Sequence, residues 1–134
     1  MRRRNVYEGV PMTDSRQPIA DAELAVLKLL WARGEMTARQ LAEAIYGSPT
    51  TAAIGTVQKL IQRLEHKDCV RRDRSQYVHR FSALVSQAQV AGRQLELLAE
   101  RVADGSLAPF ITHLVNARRL SDQEKREIRR MLEE

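Results

Sequence analysis

Residues 63–81, "RLEHKDCVRRDRSQYVHRF", bring thiol, imidazole, carboxylate and guanidinium groups into one short stretch. Cys69, the chain's single cysteine, lies between His66 and His79, with Asp68 and Asp73 close by and Arg71, Arg72 and Arg74 just beyond. Three chemistries use these side chains: a cysteine nucleophile served by an imidazole base, a metal held by thiolate and imidazole, and a basic elbow that grips a polyanion. A nucleophile needs a histidine at hydrogen-bond distance, a third group to orient it and oxyanion donors around a pocket. His66 and Cys69 are three residues apart, but the helix that carries His66 is expected to end at Lys67 or Asp68, and neither a Gly-rich elbow nor an α/β scaffold accompanies them. A structural metal site needs Cys and His pairs at ligand spacing. Cys69 has no second thiol, and the third histidine, His113, falls in another helix. No catalytic residue, metal or cofactor is therefore expected, and Cys69 reads as a small core residue at a helix-to-strand joint. The polyanion chemistry uses the same letters with less strain.

The bulk composition agrees with that direction. Lys and Arg number 22 against 17 Asp and Glu, a formal net charge of +5 that favours polyanionic partners. At 134 residues, 43% hydrophobic and only 4% aromatic, the chain has room for one domain plus an appendage, with an aliphatic, helix-rich core. A large multi-domain enzyme is excluded. One cysteine cannot close an internal disulfide, the opening "MRRRN" is not followed by a signal-type apolar region, and no uncharged run approaches a membrane span. A cytoplasmic protein without membrane insertion is expected.

The elements that would position the basic elbow follow from periodicity. Residues 1–17 show none and read as a flexible basic tail whose Arg2, Arg3 and Arg4 could lie along phosphates. "DAELAVLKLLWARG" puts Leu24, Leu27, Leu30 and Trp31 on one stripe and stops at Gly34. "TARQLAEAIYG" opens on Thr37 with Gln40 at capping-box spacing and turns Leu41, Ala42 and Ile45 inward. A third helix repeats Val57, Leu60, Ile61 and Leu64, which leaves Thr56, Gln58, Lys59, Gln62 and Arg63 outward. "CVRR" and "YVHRF" then read as two short strands around the turn "DRSQ". Three more helices follow, the last with Ser121 and Glu124 at capping-box spacing.

The expected fold is mainly α with a small β-hairpin: a winged helix-turn-helix domain at 18–84 and a helical dimerisation domain at 85–134. The recognition helix would occupy about 53–67 and the wing about 69–82. Thr56, Gln58 and Lys59 fall where such a helix meets base edges, Arg63 lies a turn further on toward phosphates or an internal ion pair, and Arg71, Arg72 and Arg74 supply charge to the wing. In the last three helices Leu95, Leu98, Val102, Phe110, Ile111, Leu114, Val115, Ile128 and Leu132 exceed what a thin appendage can bury, so a second copy is the economical cover. The alternative is a winged-helix protein-interaction module with little specific DNA binding.

Three stretches carry a resemblance to a known family: "AEL..L..LW" from Ala22 to Trp31, "TV....QRLE.K" from Thr56 to Lys67, and "LS..E..EI..ML" from Leu120 to Leu132. Over residues 19–133 the chain resembles the BlaI/MecI/CopY family, the penicillinase-repressor type of transcriptional regulator. The resemblance implies a homodimer that represses transcription from a palindromic double-stranded DNA operator. It places the DNA-contacting stretch of the recognition helix on Gly55, Thr56, Gln58 and Lys59. Gly55 stands where the family usually has Thr or a basic residue, and Asp68 where a Gly commonly follows the helix. Antibiotic-responsive members are switched off when a membrane sensor protease signals cleavage of an Asn-Phe bond, and the matching bond here is His113-Leu114. The C-x-C motifs of copper-responsive members are missing from this sequence.

Overall fold

The computed structural model describes residues 18–134, so the expected basic tail at 1–17 lies outside the described residues. The elements run α1 (Asp21–Arg33), β1 (Met36–Thr37), α2 (Ala38–Tyr46), α3 (Thr51–His66), β2 (Val70–Asp73), β3 (Arg80–Ala83), α4 (Gln87–Ala103), α5 (Ala108–Asn116) and α6 (Asp122–Glu133). The fold is mainly α with a small antiparallel sheet, as the residue pattern implies. The chain divides into two compact units inside α4, after Leu95.

In the first unit, the helical stripes meet in one aliphatic core. Val26, Leu27 and Leu30 of α1, Leu41 and Ala42 of α2, and Val57, Leu60, Ile61 and Leu64 of α3 are buried together with Met36, Val70 and Phe81 of the sheet. Leu24, Trp31 and Ile45, expected in the stripes, pack against this cluster while partly exposed. Thr37 caps α2 by accepting the Gln40 N–H, and Gln40 returns the bond to the Thr37 N–H at 2.9 Å. Thr50 caps α3 by accepting the Ala53 N–H at 3.1 Å. The Trp31 indole N–H donates to the Val85 carbonyl at 2.8 Å, which pins α1 to the chain leaving β3.

The sheet differs from the expected hairpin in two respects. It has three strands in the order β1-β3-β2, because Met36 and Thr37 pair with Phe81 and Arg80. Two residues are too few to show a period in the sequence. The hairpin is also shorter than its β-prone letters: Tyr77, Val78 and His79 belong to the turn, and the last pair of the ladder is Asp73 with Arg80. The turn widens there because the Asp73 carboxylate accepts the Ser75 N–H at 2.9 Å, an Asx turn that competes with further strand pairing.

The second unit holds the end of α4, then α5 and α6. α5 ends in a Schellman motif with Arg118 at φ 51°, where the Arg118 N–H bonds to Val115 and the Arg119 N–H to Leu114. α6 starts with the expected box: Ser121 accepts the Glu124 N–H at 3.1 Å and Glu124 the Ser121 N–H at 3.0 Å. Neither α5 nor α6 has a buried residue.

Candidate nucleic-acid interface

The joint between α3 and the hairpin is a Schellman motif built on Asp68. Its φ of 57° is left-handed, the Asp68 N–H bonds to Glu65 and the Cys69 N–H reaches back to Leu64 at 2.9 Å. A short polar side chain adopts this conformation more readily than most, so Asp68 serves where a Gly is the commoner choice. Leu64 and Cys69, the hydrophobic pair of the motif, are both buried. The Cys69 thiol donates toward the Lys67 carbonyl at 3.5 Å. Burial pushes the thiol up to about 11 against the partial opposition of the Lys67 ammonium, with Glu23 and Asp68 adding to the rise. A thiol held neutral and shielded is a packing residue, the opposite of an activated nucleophile.

Lys67 locks the same joint to α1. Its ammonium donates to both Glu23 carboxylate oxygens at 2.8 and 3.0 Å and to the Pro18 carbonyl at 2.9 Å. Glu23 also accepts the Ala20 N–H at 2.9 Å, which satisfies a donor at the start of α1. Glu23 is 2% exposed, so two of the motif stretches seen in the sequence meet at a buried ion pair away from solvent. The residue pattern did not show this pair, because 44 residues separate its members.

α3 presents the expected polar row. Thr56, Gln58, Lys59, Gln62 and Arg63 are exposed, and Gly55 is half-buried with open space where a Cβ would stand. The Thr56 hydroxyl donates to the Ala52 carbonyl at 3.0 Å, which spends its donor within the helix while the residue stays exposed. Lys59, Gln62, Arg63 and His66 line one open groove, together with the Glu23–Lys67 pair. Gln58 lines a different cleft, of about 400 Å³, between α2, α3 and the hairpin turn. Arg39, in the first turn of α2, and Tyr77, Val78 and His79 of the turn line it too. Sequence reasoning passed over Arg39, although an exposed arginine two residues past the Thr37 cap was a usable signal.

The three hairpin arginines are not equivalent. Arg71 and Arg74 are exposed, and among the described residues neither forms an ion pair. Arg72 is turned inward, because strand alternation puts it on the face of Val70 and opposite Phe81. Its guanidinium donates to both Glu65 oxygens at 2.8 and 3.2 Å, lies 4.9 Å from the Phe81 ring centroid, and meets the His79 Nδ1 at 3.2 Å. A guanidinium has no acceptor, so His79 takes this bond on an unprotonated Nδ1. The Ser75 hydrogen bonds, with help from Arg71 and Arg80, hold the Asp73 carboxyl below the usual carboxylate range.

The apolar side chains assigned to dimerisation are solvent-facing in the single chain. Leu95, Leu98, Val102, Ile111, Leu114, Val115, Ile128 and Leu132 are exposed, and Phe110 is half-buried. Leu107 and Met131 are exposed as well. The His113-Leu114 bond lies inside α5, where His113 accepts the Ala117 N–H and Leu114 the Arg119 N–H. Among the described residues no helix is long and apolar enough to cross a membrane.

Comparison with known proteins adds to this geometry. Residues 19–134 match the family model described as penicillinase repressor. Two curated relatives, each named transcriptional regulator BlaI, come from Mycobacterium tuberculosis strains CDC 1551 and H37Rv. Each is 33% identical over 118 residues, covering 87% of this chain and 83% of the relative.

Proposed function

The chain belongs to the penicillinase repressor family, whose members are transcriptional regulators and not enzymes, and from that premise we propose that it represses transcription as a homodimer bound to a palindromic operator. In this reading residues 18–84 bind DNA and 85–134 pair with a second copy in the cytoplasm. α3 enters the major groove with Gly55 giving close approach and Thr56, Gln58 and Lys59 meeting base edges. Gln pairs well with adenine, Lys with guanine acceptors, and the Thr56 methyl group with thymine. Arg63, Arg71 and Arg74 then neutralise phosphates.

The observation that carries this reading is the exposed row on α3, which shows water the amides of Gln58 and Gln62 and the two cations Lys59 and Arg63 instead of spending them on the core. The second support is the run of exposed apolar side chains on α4, α5 and α6, a surface a lone soluble chain rarely leaves open. Two-fold symmetry then sets half-sites about one helical turn apart, roughly 10 bp, or a multiple of it. Release by a sensor protease that cuts at His113-Leu114 would first require α5 to open, since that bond sits in hydrogen-bonded helix.

The test is a titration of Lys59→Ala against a selected operator and a random duplex. Affinity for the operator should fall by about tenfold or more, and affinity for random DNA by much less. Equal losses on both would remove the base-reading role.

A further inference from the structure

Arg72 and Glu65 join two elements that share no ladder. Glu65 is in the last turn of α3 and Arg72 in β2, while the sheet's own hydrogen bonds link the hairpin only to itself and to β1. The direct backbone route from α3 to β2 is the single left-handed step at Asp68. A two-bond pair, 20% and 26% exposed and backed by the Phe81 ring and His79, spans that step. Arginine suits this task because its planar fork fixes direction as well as distance. The same guanidinium walls the cleft that holds Gln58, Arg39 and Tyr77.

Resting on the reading of α3 and the hairpin as a DNA interface, we propose that Glu65 and Arg72 form a latch that positions the wing, Arg72 being a positioning residue and not a phosphate contact. The electrostatic signs separate the two roles. Glu65 places a carboxylate beside a surface meant for a polyanion. Were Arg72 a phosphate contact, Glu65 would compete with DNA for it, and Glu65→Gln would free the guanidinium and tighten binding. With a latch, the same substitution removes a repulsive charge and still weakens binding, because the wing loses its angle.

The experiment uses the full chain and a duplex enriched by the parent protein from a random-sequence pool, with affinity followed by fluorescence anisotropy at several salt concentrations. Glu65→Gln, Arg72→Gln and Arg72→Lys should each weaken binding by about fivefold. The slope of log affinity against log salt should keep its parental value in Arg72→Gln, whereas losing a phosphate contact would flatten it by about 0.9. Arg72→Lys keeps the charge and loses the fork, so near-parental affinity for it would overturn the latch. So would tighter binding by Glu65→Gln, or a flattened slope for Arg72→Gln. Hydrogen exchange of the DNA-free protein supplies an independent arm: Glu65→Gln should speed exchange at the amides of Arg71–Asp73 and Arg80–Ser82, and unchanged exchange would overturn the latch. If the parent protein enriches no duplex, the DNA-binding reading fails, and the exchange arm still decides whether Glu65 holds the wing.

Discussion

The Glu23–Lys67 pair yields the sharpest stability prediction, because its two halves sit at different depths. Glu23 is 2% exposed and Lys67 13%, and the ammonium meets three acceptors while the carboxylate receives Lys67 and the Ala20 N–H. Lys67→Met strands a carboxylate that has almost no access to water. Removing one partner of a buried pair costs about 3–5 kcal/mol, and the lower end applies because Ala20 still donates. Glu23→Gln keeps an acceptor for the Ala20 N–H and for the ammonium, and leaves its unpaired charge on Lys67, whose long stem can carry it to water. That substitution should cost about 1–2 kcal/mol, the difference between a charged and a neutral hydrogen bond. At roughly 4–8 °C per kcal/mol for a domain of this size, Lys67→Met should lower Tm by at least about 12 °C and Glu23→Gln by no more than about two thirds of the Lys67→Met effect. Urea denaturation followed by circular dichroism measures both, and the double substitution closes a cycle in which the coupling should exceed about 1 kcal/mol. A Lys67→Met loss below about 1 kcal/mol, or a Glu23→Gln loss larger than that of Lys67→Met, would refute the assignment of depth on which the reasoning stands.

Cys69 should be inert in the folded protein. With its thiol raised from 9.0 to about 11 by burial, the thiolate is about 100-fold scarcer at pH 8, so iodoacetamide should label it only after urea unfolds the chain. Because the folded-state value is the higher one, this contribution to stability is complete below about pH 9 and lost as the pH climbs toward 11; a Tm indifferent to pH across that window would contradict it. Arg71→Gln and Arg74→Gln should each flatten the salt slope of DNA binding by about 0.9, the effect withheld from Arg72; a double substitution with the parental slope would remove the hairpin from the phosphate contacts. Val115→Asp, at a side chain 57% exposed in the single chain, should leave the first unit's far-ultraviolet spectrum intact and shift sedimentation from dimer to monomer. A dimer that persists in that variant would place the interface elsewhere than on α5.

The helices were legible in the sequence because each declares itself locally. The inward residues of α3 recur at helical spacing, the α2 and α6 caps lie three residues from their partners, and Asp68 ends α3 where the period stops. The sheet was legible only in part. β1 is two residues long, and the first three letters of "YVHRF" are strand-forming residues in a segment where the Asp73–Ser75 bond makes a turn instead. Propensity describes a residue's fit to a pleated, half-buried surface, and Tyr77 and Val78 are on no such surface.

The candidate site shows a different limit. Counting arginines on a predicted wing gives charge but not its availability, and availability depends on what stands across the joint. Alternation within "VRRD" was enough to put Arg71 and Arg72 on opposite faces, yet only a half-buried partner seven residues back, in the last turn of α3, decides that the inward one is occupied. Glu65 looks in sequence like one more solvated carboxylate, and Lys67 like one more cation for a basic elbow. In the folded chain both are consumed by structure, Glu65 by Arg72 and Lys67 by Glu23. Among the described residues of α3 and the hairpin, the exposed cations outside these two pairs are then Lys59, Arg63, Arg71 and Arg74, with Arg39 of α2 lining the cleft beside Gln58. This set is more sharply placed than the net charge of +5 could show. On the proposed reading, affinity for DNA then depends on the angle between α3 and the hairpin as much as on the number of positive charges.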